Sequence, residues 1–223
     1  MLADFDADSL YETIPDFHNT PKRTEALKKA MADNVAGRKD EVQDIYNKYL
    51  EYENDCATIT LDLESGVVPK RVTHNDTKLN NVLFDATTKE GICVIDLDTV
   101  MPGSLLFDYG DSLRFGASTA AEDEADLDKV WFDLEYFESY TRGFLSELKD
   151  KITAREVELL PVSALTMTYE CGIRFLTDYL NGDTYFKIHY PDQNLVRAKN
   201  HLKLCQDIAS KLEEMKKIVA KYM

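Results

Sequence analysis

The chain has 223 residues, with 26 Lys+Arg against 41 Asp+Glu, a formal net charge of −15 and a pI near 4.7. Its 44% apolar content supports a sizeable core and excludes wholesale disorder, and the length suits one large domain or one and a half. The acidic balance excludes a basic nucleic-acid or membrane-surface patch, but not a nucleotide, because a bound magnesium ion reverses the local charge logic.

Residues 1–20 read as irregular and acidic, the wrong flank for a signal peptide, and no apolar run is long enough to span a membrane. Thr20-Pro21 marks a helix start, with Thr20 as the N-cap, and the helix extends to 33. Val42, Ile45, Tyr46, Tyr49 and Leu50 fall at helical spacing, which predicts one helix over 38–54. Ser65-Gly66 and Pro69 mark a loop. Short strands are expected at 71–73, 81–85 and 92–96, the last two forming a hairpin across Ala86 to Gly91. Helices are expected near 105–116, 126–148, 153–181 and 192–221, with Pro161 splitting the third. The acidic run Glu122-Asp123-Glu124 and Asp126 reads either as the N-terminus of the second of these or as a solvated face. Cys56, Cys93, Cys171 and Cys205 have no zinc or disulfide spacing and read as reduced cytoplasmic thiols in core positions. The fold class is therefore mainly α with a small β-hairpin (α+β). It divides into a helical lead-in over 1–70, a loop and hairpin over 71–103, and a helical subdomain over 104–223.

The chemistry gathers on the β element. Thr73-His74-Asn75-Asp76-Thr77-Lys78-Leu79-Asn80-Asn81 has the form H-x-D-x-K-x-x-N, and Val94-Ile95-Asp96 closes the next strand. Phosphoryl transfer needs this set of groups. A carboxylate accepts the acceptor's hydroxyl proton, an amide and a second carboxylate hold magnesium on phosphate oxygens, and a lysine offsets charge. The hairpin would bring Asp76, Asn81 and Asp96 to one rim.

The pattern resembles the protein-kinase-like superfamily, and within it the aminoglycoside and choline phosphotransferases, with Asn75 where protein kinases carry Arg. Leu97 and Asp98 stand in place of the Phe and Gly of D-F-G, so no protein-kinase activation segment is expected, and Asp108 resembles a later structural Asp. Four runs are similar to the bacterial N-acetylhexosamine 1-kinases: Phe17 to Pro21, Val72 to Phe84, Val94 to Gly103 and Gly172 to Leu180. That resemblance implies a kinase-like C-terminal lobe and ATP- and magnesium-dependent phosphorylation of an N-acetylhexosamine's anomeric hydroxyl. It implies Asp76 as catalytic base, Asn81 and Asp96 as metal ligands, and Arg174 and Tyr185 as sugar contacts. His74 is expected to hold the catalytic loop. Lys78 either faces the γ-phosphate or is a solvated loop lysine. Asp98, two residues after Asp96 and on the same strand face, is a candidate substrate contact. Spacing alone also allows Arg174 to pair with Glu170, and Tyr185 to be one of 12 packing tyrosines.

Such kinases also carry a lobe that covers the phosphates, but residues 1–70 hold only Gly37 and Gly66 and no G-x-G-x-x-G. The resemblance therefore implies that an N-terminal lobe is absent. The isolated chain is expected to have little or no turnover, and an exposed lobe surface to favour self-association. The alternatives are a kinase of this fold acting on choline, an amino alcohol or an aminoglycoside, and a non-catalytic binding module.

Overall fold

Local chemistry sets the helix ends. The structure, a computed structural model, describes residues 5–223; residues 1–4 of the acidic lead-in lie outside the described residues. Helix α1 (Thr20–Asp33) is capped by Asn19, whose Oδ1 accepts the Lys22 N–H, one residue earlier than Thr20. Asn34 ends it in the left-handed region.

The helix expected over 38–54 is two helices, α2 (Lys39–Leu50) and α3 (Glu53–Glu64). No Gly or Pro marks the break. Tyr49 is fully buried and its hydroxyl donates to the Ala198 carbonyl, which ties α2 to the C-terminal helix, while α3 lies on another helix, α6 (Ala154–Leu180). The chain turns between these two anchors.

Strand β1 (Arg71–Thr73) pairs antiparallel with β4 (Met101–Gly103), a partner with no period-2 signal. Between them, β2 (Val82–Phe84) and β3 (Gly91–Val94) form the expected hairpin. In its turn, Asp85 accepts the Thr87 and Thr88 N–H groups. The strand expected to reach Asp96 stops at Val94. Asp96 is left-handed (φ 60°) and leads into a 3-10 turn over Leu97–Thr99, so Asp96 and Asp98 do not share a strand face.

Helix α4 (Leu105–Gly116) follows, capped by Ser104. The helix expected at 126–148 is a 3-10 turn, Leu127–Lys129, and then α5 (Leu134–Leu148), capped by Asp133. The acidic run before it is neither a helix start nor a wholly solvated face. Glu122 pairs with Arg114, and Asp123 accepts from Gln193.

α6 is unbroken through Pro161 and starts with a capping box, Thr153 to Glu156. It is the central helix, packed against α1, α3, α4 and α7 (Gln193–Tyr222). Leu160, Tyr169, Ile173, Leu176 and Leu180 are all buried on it, and burial on this scale outweighs the roughly 3 kcal/mol cost of an internal proline. Cys56 and Cys205 occupy the core and Cys171 is partly buried, but Cys93 is exposed on β3, against the core position expected for it. Among the described residues, no helix is long and apolar enough to cross a membrane.

Candidate active site

The Asp108 side chain anchors the loop between β1 and β2 from α4. Asp108, in the first turn of α4, accepts the His74 N–H at 2.8 Å and the Asn75 N–H at 2.7 Å. The Asp108 carbonyl accepts the Thr77 hydroxyl at 2.6 Å. Burial pushes the Asp108 carboxyl up to about 6, and the two backbone N–H groups pull the other way.

Asn75 takes a left-handed backbone (φ 65°), a conformation that Asn tolerates better than most residues. Its side chain is engaged at both ends: Oδ1 accepts the Thr73 hydroxyl and Nδ2 donates to the Thr99 carbonyl. β4 must come close here. A Cβ on Gly103 would run into the Thr73 hydroxyl and come within 3.0 Å of Asn75 Oδ1.

The loop then presents Asp76. Its Oδ2 accepts Lys78 Nζ at 2.7 Å and Asn81 Nδ2 at 2.8 Å, and among the described residues no group bonds Oδ1. The Lys78 side chain therefore lies on Asp76 and is not a free loop lysine. His74 Nδ1 receives the Asp76 N–H at 3.3 Å, and Nε2 lies 2.9 Å from the Ile95 carbonyl. A carbonyl only accepts, so Nε2 carries the proton and Nδ1 the lone pair. His74 thereby ties the loop to the end of β3. Asn81 completes the tie, because its carbonyl accepts the Ile95 N–H.

His74, Asp76, Lys78 and Asn81 are therefore one hydrogen-bonded group, and Asp96 is the next residue along its rim. Asp98 is exposed on the 3-10 turn beyond.

Arg174 and Tyr185 lie elsewhere. They line a cavity of about 210 Å3 with Arg23, Thr177, Asp178 and Phe186, and Asp76 is not in its wall. The Arg174 guanidinium lies over the Phe186 and Tyr185 rings, 5.4 and 5.8 Å from their centroids. It does not pair with Glu170, which is taken by His18. Tyr185 is 73% exposed, not a packing tyrosine. Its backbone is fixed by Asp178, whose carboxylate accepts the Thr184, Tyr185 and Phe186 N–H groups and Asn194 Nδ2.

The sequence profile of the phosphotransferase enzyme family (APH) matches residues 1–144, which include the whole Asp76 group, Asp96 and Asp108. The chain belongs to this family. A kinase-like, mainly α fold with a small β region and a small-molecule phosphotransferase activity follow from that membership. The matched segment ends before α6, so Arg174, Tyr185 and Asp178 lie outside it.

Phosphotransferases of this kind use ATP and magnesium. The residues present fit the metal. Asn81 spends its Nδ2 on Asp76, and among the described residues its amide oxygen and the exposed Asp96 carboxylate have no hydrogen-bond partner. Magnesium takes one or two hard oxygen donors of this type together with phosphate oxygens and water.

Another close group does not fit a cation. Glu122, Cys171 and His201 lie with their ligand atoms within 4.8 Å of one another. The Arg114 guanidinium sits among them, bonded to Glu122 and 3.5 Å from His201 Nε2. Burial and this guanidinium hold His201 down to about 4. A buried cation already fills the place.

Three features were not read from the sequence: His18, the Asp178 clamp, and the pinning of Asn75. His18 lies within the Phe17 to Pro21 run that carries the resemblance, but nothing in its spacing assigns it a role.

Proposed function

We propose that this chain is the catalytic and acceptor-binding part of a sugar 1-kinase, transferring the γ-phosphoryl group of ATP to the anomeric hydroxyl of an N-acetylhexosamine. The observation that carries the reading is Asp76, with one carboxylate oxygen held between Lys78 and Asn81 and the other open. In this role Asp76 Oδ1 accepts the proton of the acceptor hydroxyl as the new O–P bond forms and the bond to ADP breaks. An anomeric hydroxyl is more acidic than an ordinary alcohol, so a carboxylate suffices. Lys78 bonds the Asp76 carboxylate and in this role would offset charge on the transferring group. Asn81 and Asp96 would hold magnesium, which when bound neutralises charge on the phosphate oxygens.

The acceptor assignment rests on the resemblance together with the Arg174 cavity. Arg174 offers a planar fork of donors to sugar and acetamido oxygens, and Tyr185 a ring face and a hydroxyl. Two partly buried guanidiniums, Arg23 and Arg174, line this cavity, and its one carboxylate, Asp178, is saturated by four N–H donors. That electrostatic balance disfavours choline or an aminoglycoside. Asp98, exposed beyond Asp96, is a contact for the distal side of the acceptor.

Residues 1–70 hold no Gly-rich loop, and Leu83, Phe84, Ile92 and Val94 are 46–63% exposed on the hairpin. We assign these apolar hairpin side chains to contact with a second, ATP-gripping lobe. Two readouts test the proposal. ADP release by this chain with N-acetylglucosamine is expected far below the roughly 1–100 s⁻¹ of ordinary kinases, and a rate in that range contradicts the second-lobe assignment. Phosphorus NMR of a long incubation is expected to show only the sugar 1-phosphate, absent with Asp76→Asn. A phosphate on another hydroxyl, or product that persists in the variant, contradicts the assigned chemistry.

A further inference from the structure

The His18 side chain is 7% exposed and bonds at both ring nitrogens to atoms that only accept. Nδ1 lies 2.8 Å from Glu170 Oε1, and Nε2 lies 2.8 Å from the Asn75 carbonyl oxygen. A neutral imidazole facing a carboxylate and a carbonyl would aim a lone pair at one of them. Two donors are needed, so this geometry belongs to the imidazolium. The ring is enclosed by Phe17 and Phe107, with centroids 4.8 and 5.1 Å away. Burial works against its charge, but the Glu170 carboxylate and the Asn75 carbonyl outweigh it and keep His18 above its ordinary value. The other oxygen of Glu170 accepts the Thr20 hydroxyl at 2.7 Å, which completes that carboxylate.

The two ends of this bridge matter. Glu170 is on α6, one turn before Arg174, and Asn75 is the left-handed residue directly before Asp76. Joining α1 to α6 does not need His18, because Thr20 already bonds Glu170. What His18 adds is a direct side-chain link between α6 and the loop, beside the indirect one that runs through Asp108 and α4. Asp76 and Arg174 do not share a cavity wall, so their register depends on such links.

We propose that His18 is a positioning residue, a charged strut that fixes the Asp76 loop relative to the Arg174 segment of α6, so that an acceptor held on α6 meets the base. The inference rests on the reading of Asp76 as base and α6 as acceptor helix. A pair serving stability alone would loosen the core uniformly when cut. A strut would loosen the loop and break its response to an acceptor.

The test uses the full chain, nitrogen-15 labelled, as wild type, His18→Gln and Thr20→Val. Ring-nitrogen NMR at neutral pH is expected to show both His18 nitrogens protonated; a neutral tautomer overturns the proposal. In His18→Gln, amide exchange at His74 and Asn75 is expected to rise about tenfold or more, the loss of one charge-assisted hydrogen bond, while Leu113 in α4 and Ile173 in α6 change little. Thr20→Val, which leaves the strut in place, is expected to leave loop exchange near wild type. Equal rises in loop and core, or none in the loop, overturn the proposal.

N-acetylglucosamine serves as the acceptor probe. It is expected to slow Asn75 exchange in wild type, and in His18→Gln to bind within about threefold of the same Kd without slowing it. A loop that still responds in the variant overturns the strut. A wild-type chain whose Arg174 resonances ignore the sugar overturns the acceptor reading instead, and the exchange comparison then decides His18 alone.

Discussion

Asp108 shows how single side chains set this site. Its two oxygens take the His74 and Asn75 N–H groups, and its enclosure raises its carboxyl to about 6. The sign follows from linkage. A carboxyl whose folded value lies above its unfolded value of about 4 binds its proton more tightly when folded, so its contribution to stability falls as pH rises from about 4 to about 6 and is flat above that. Asp108→Asn lacks this titration. Urea unfolding at about pH 4.5 and about pH 7 is expected to favour wild type over the variant by about 2 kcal/mol more at the lower pH. A difference independent of pH contradicts the assignment. At this scale the sequence is legible where chemistry and chain order coincide. His74, Asp76, Lys78 and Asn81 lie within one loop, and their spacing alone places them together. His18 and Glu170 are 152 residues apart and meet only through the packing of α1 on α6, so no local pattern announces them.

Among the elements, α4 decides where that loop sits, and α4 is fixed by its contact with α6. Gly110, two residues after Asp108, lies against the backbone of Ser163, and a Cβ there would meet the Ser163 carbonyl, a wall that cannot swing away. Gly110→Ala is expected to cost about 1–3 kcal/mol and to lower Tm by roughly 2–12 °C, read by thermal unfolding. An unchanged Tm contradicts the close α4–α6 packing. Helices with strong ends were legible: α4 was expected near 105–116, and α6 and α7 near their observed limits. The misplaced elements share a cause. The α2–α3 break, β4 and the unbroken Pro161 are each decided by a distant partner, namely Ala198 of α7 bonded to Tyr49, the β1 ladder and the helices packed around α6. Asp96 left its expected strand because the chain must turn there to bring β4 back beside β1.

Across the whole molecule, polarity is divided between a well-filled helical core and an apolar hairpin that stands clear of it. Cys93 marks the hairpin. It is exposed, whereas burial pushes Cys56 and Cys205 up and Cys171 up to about 11. A thiol reagent is expected to find one fast site, lost in Cys93→Ser; a second fast thiol contradicts the core. If a second lobe covers the hairpin, Cys93 is the residue it shields. The large acidic excess is sorted by the structure as well. Asp108, Asp178, Glu122 and Glu170 are tied into internal hydrogen bonds, while Asp96 and Asp98 stay open beside the Asp76 group.

The central claim is that this phosphotransferase holds an N-acetylhexosamine with its hydroxyl toward Asp76. The most direct measurement is a ligand titration of the labelled full chain, following Asp76, Arg174 and Tyr185 by NMR with N-acetylglucosamine, N-acetylgalactosamine, choline and kanamycin. The predicted result is that the two sugars move all three residues and Arg174→Ala abolishes the response. Shifts at these residues from choline or kanamycin, with none from the sugars, would contradict it.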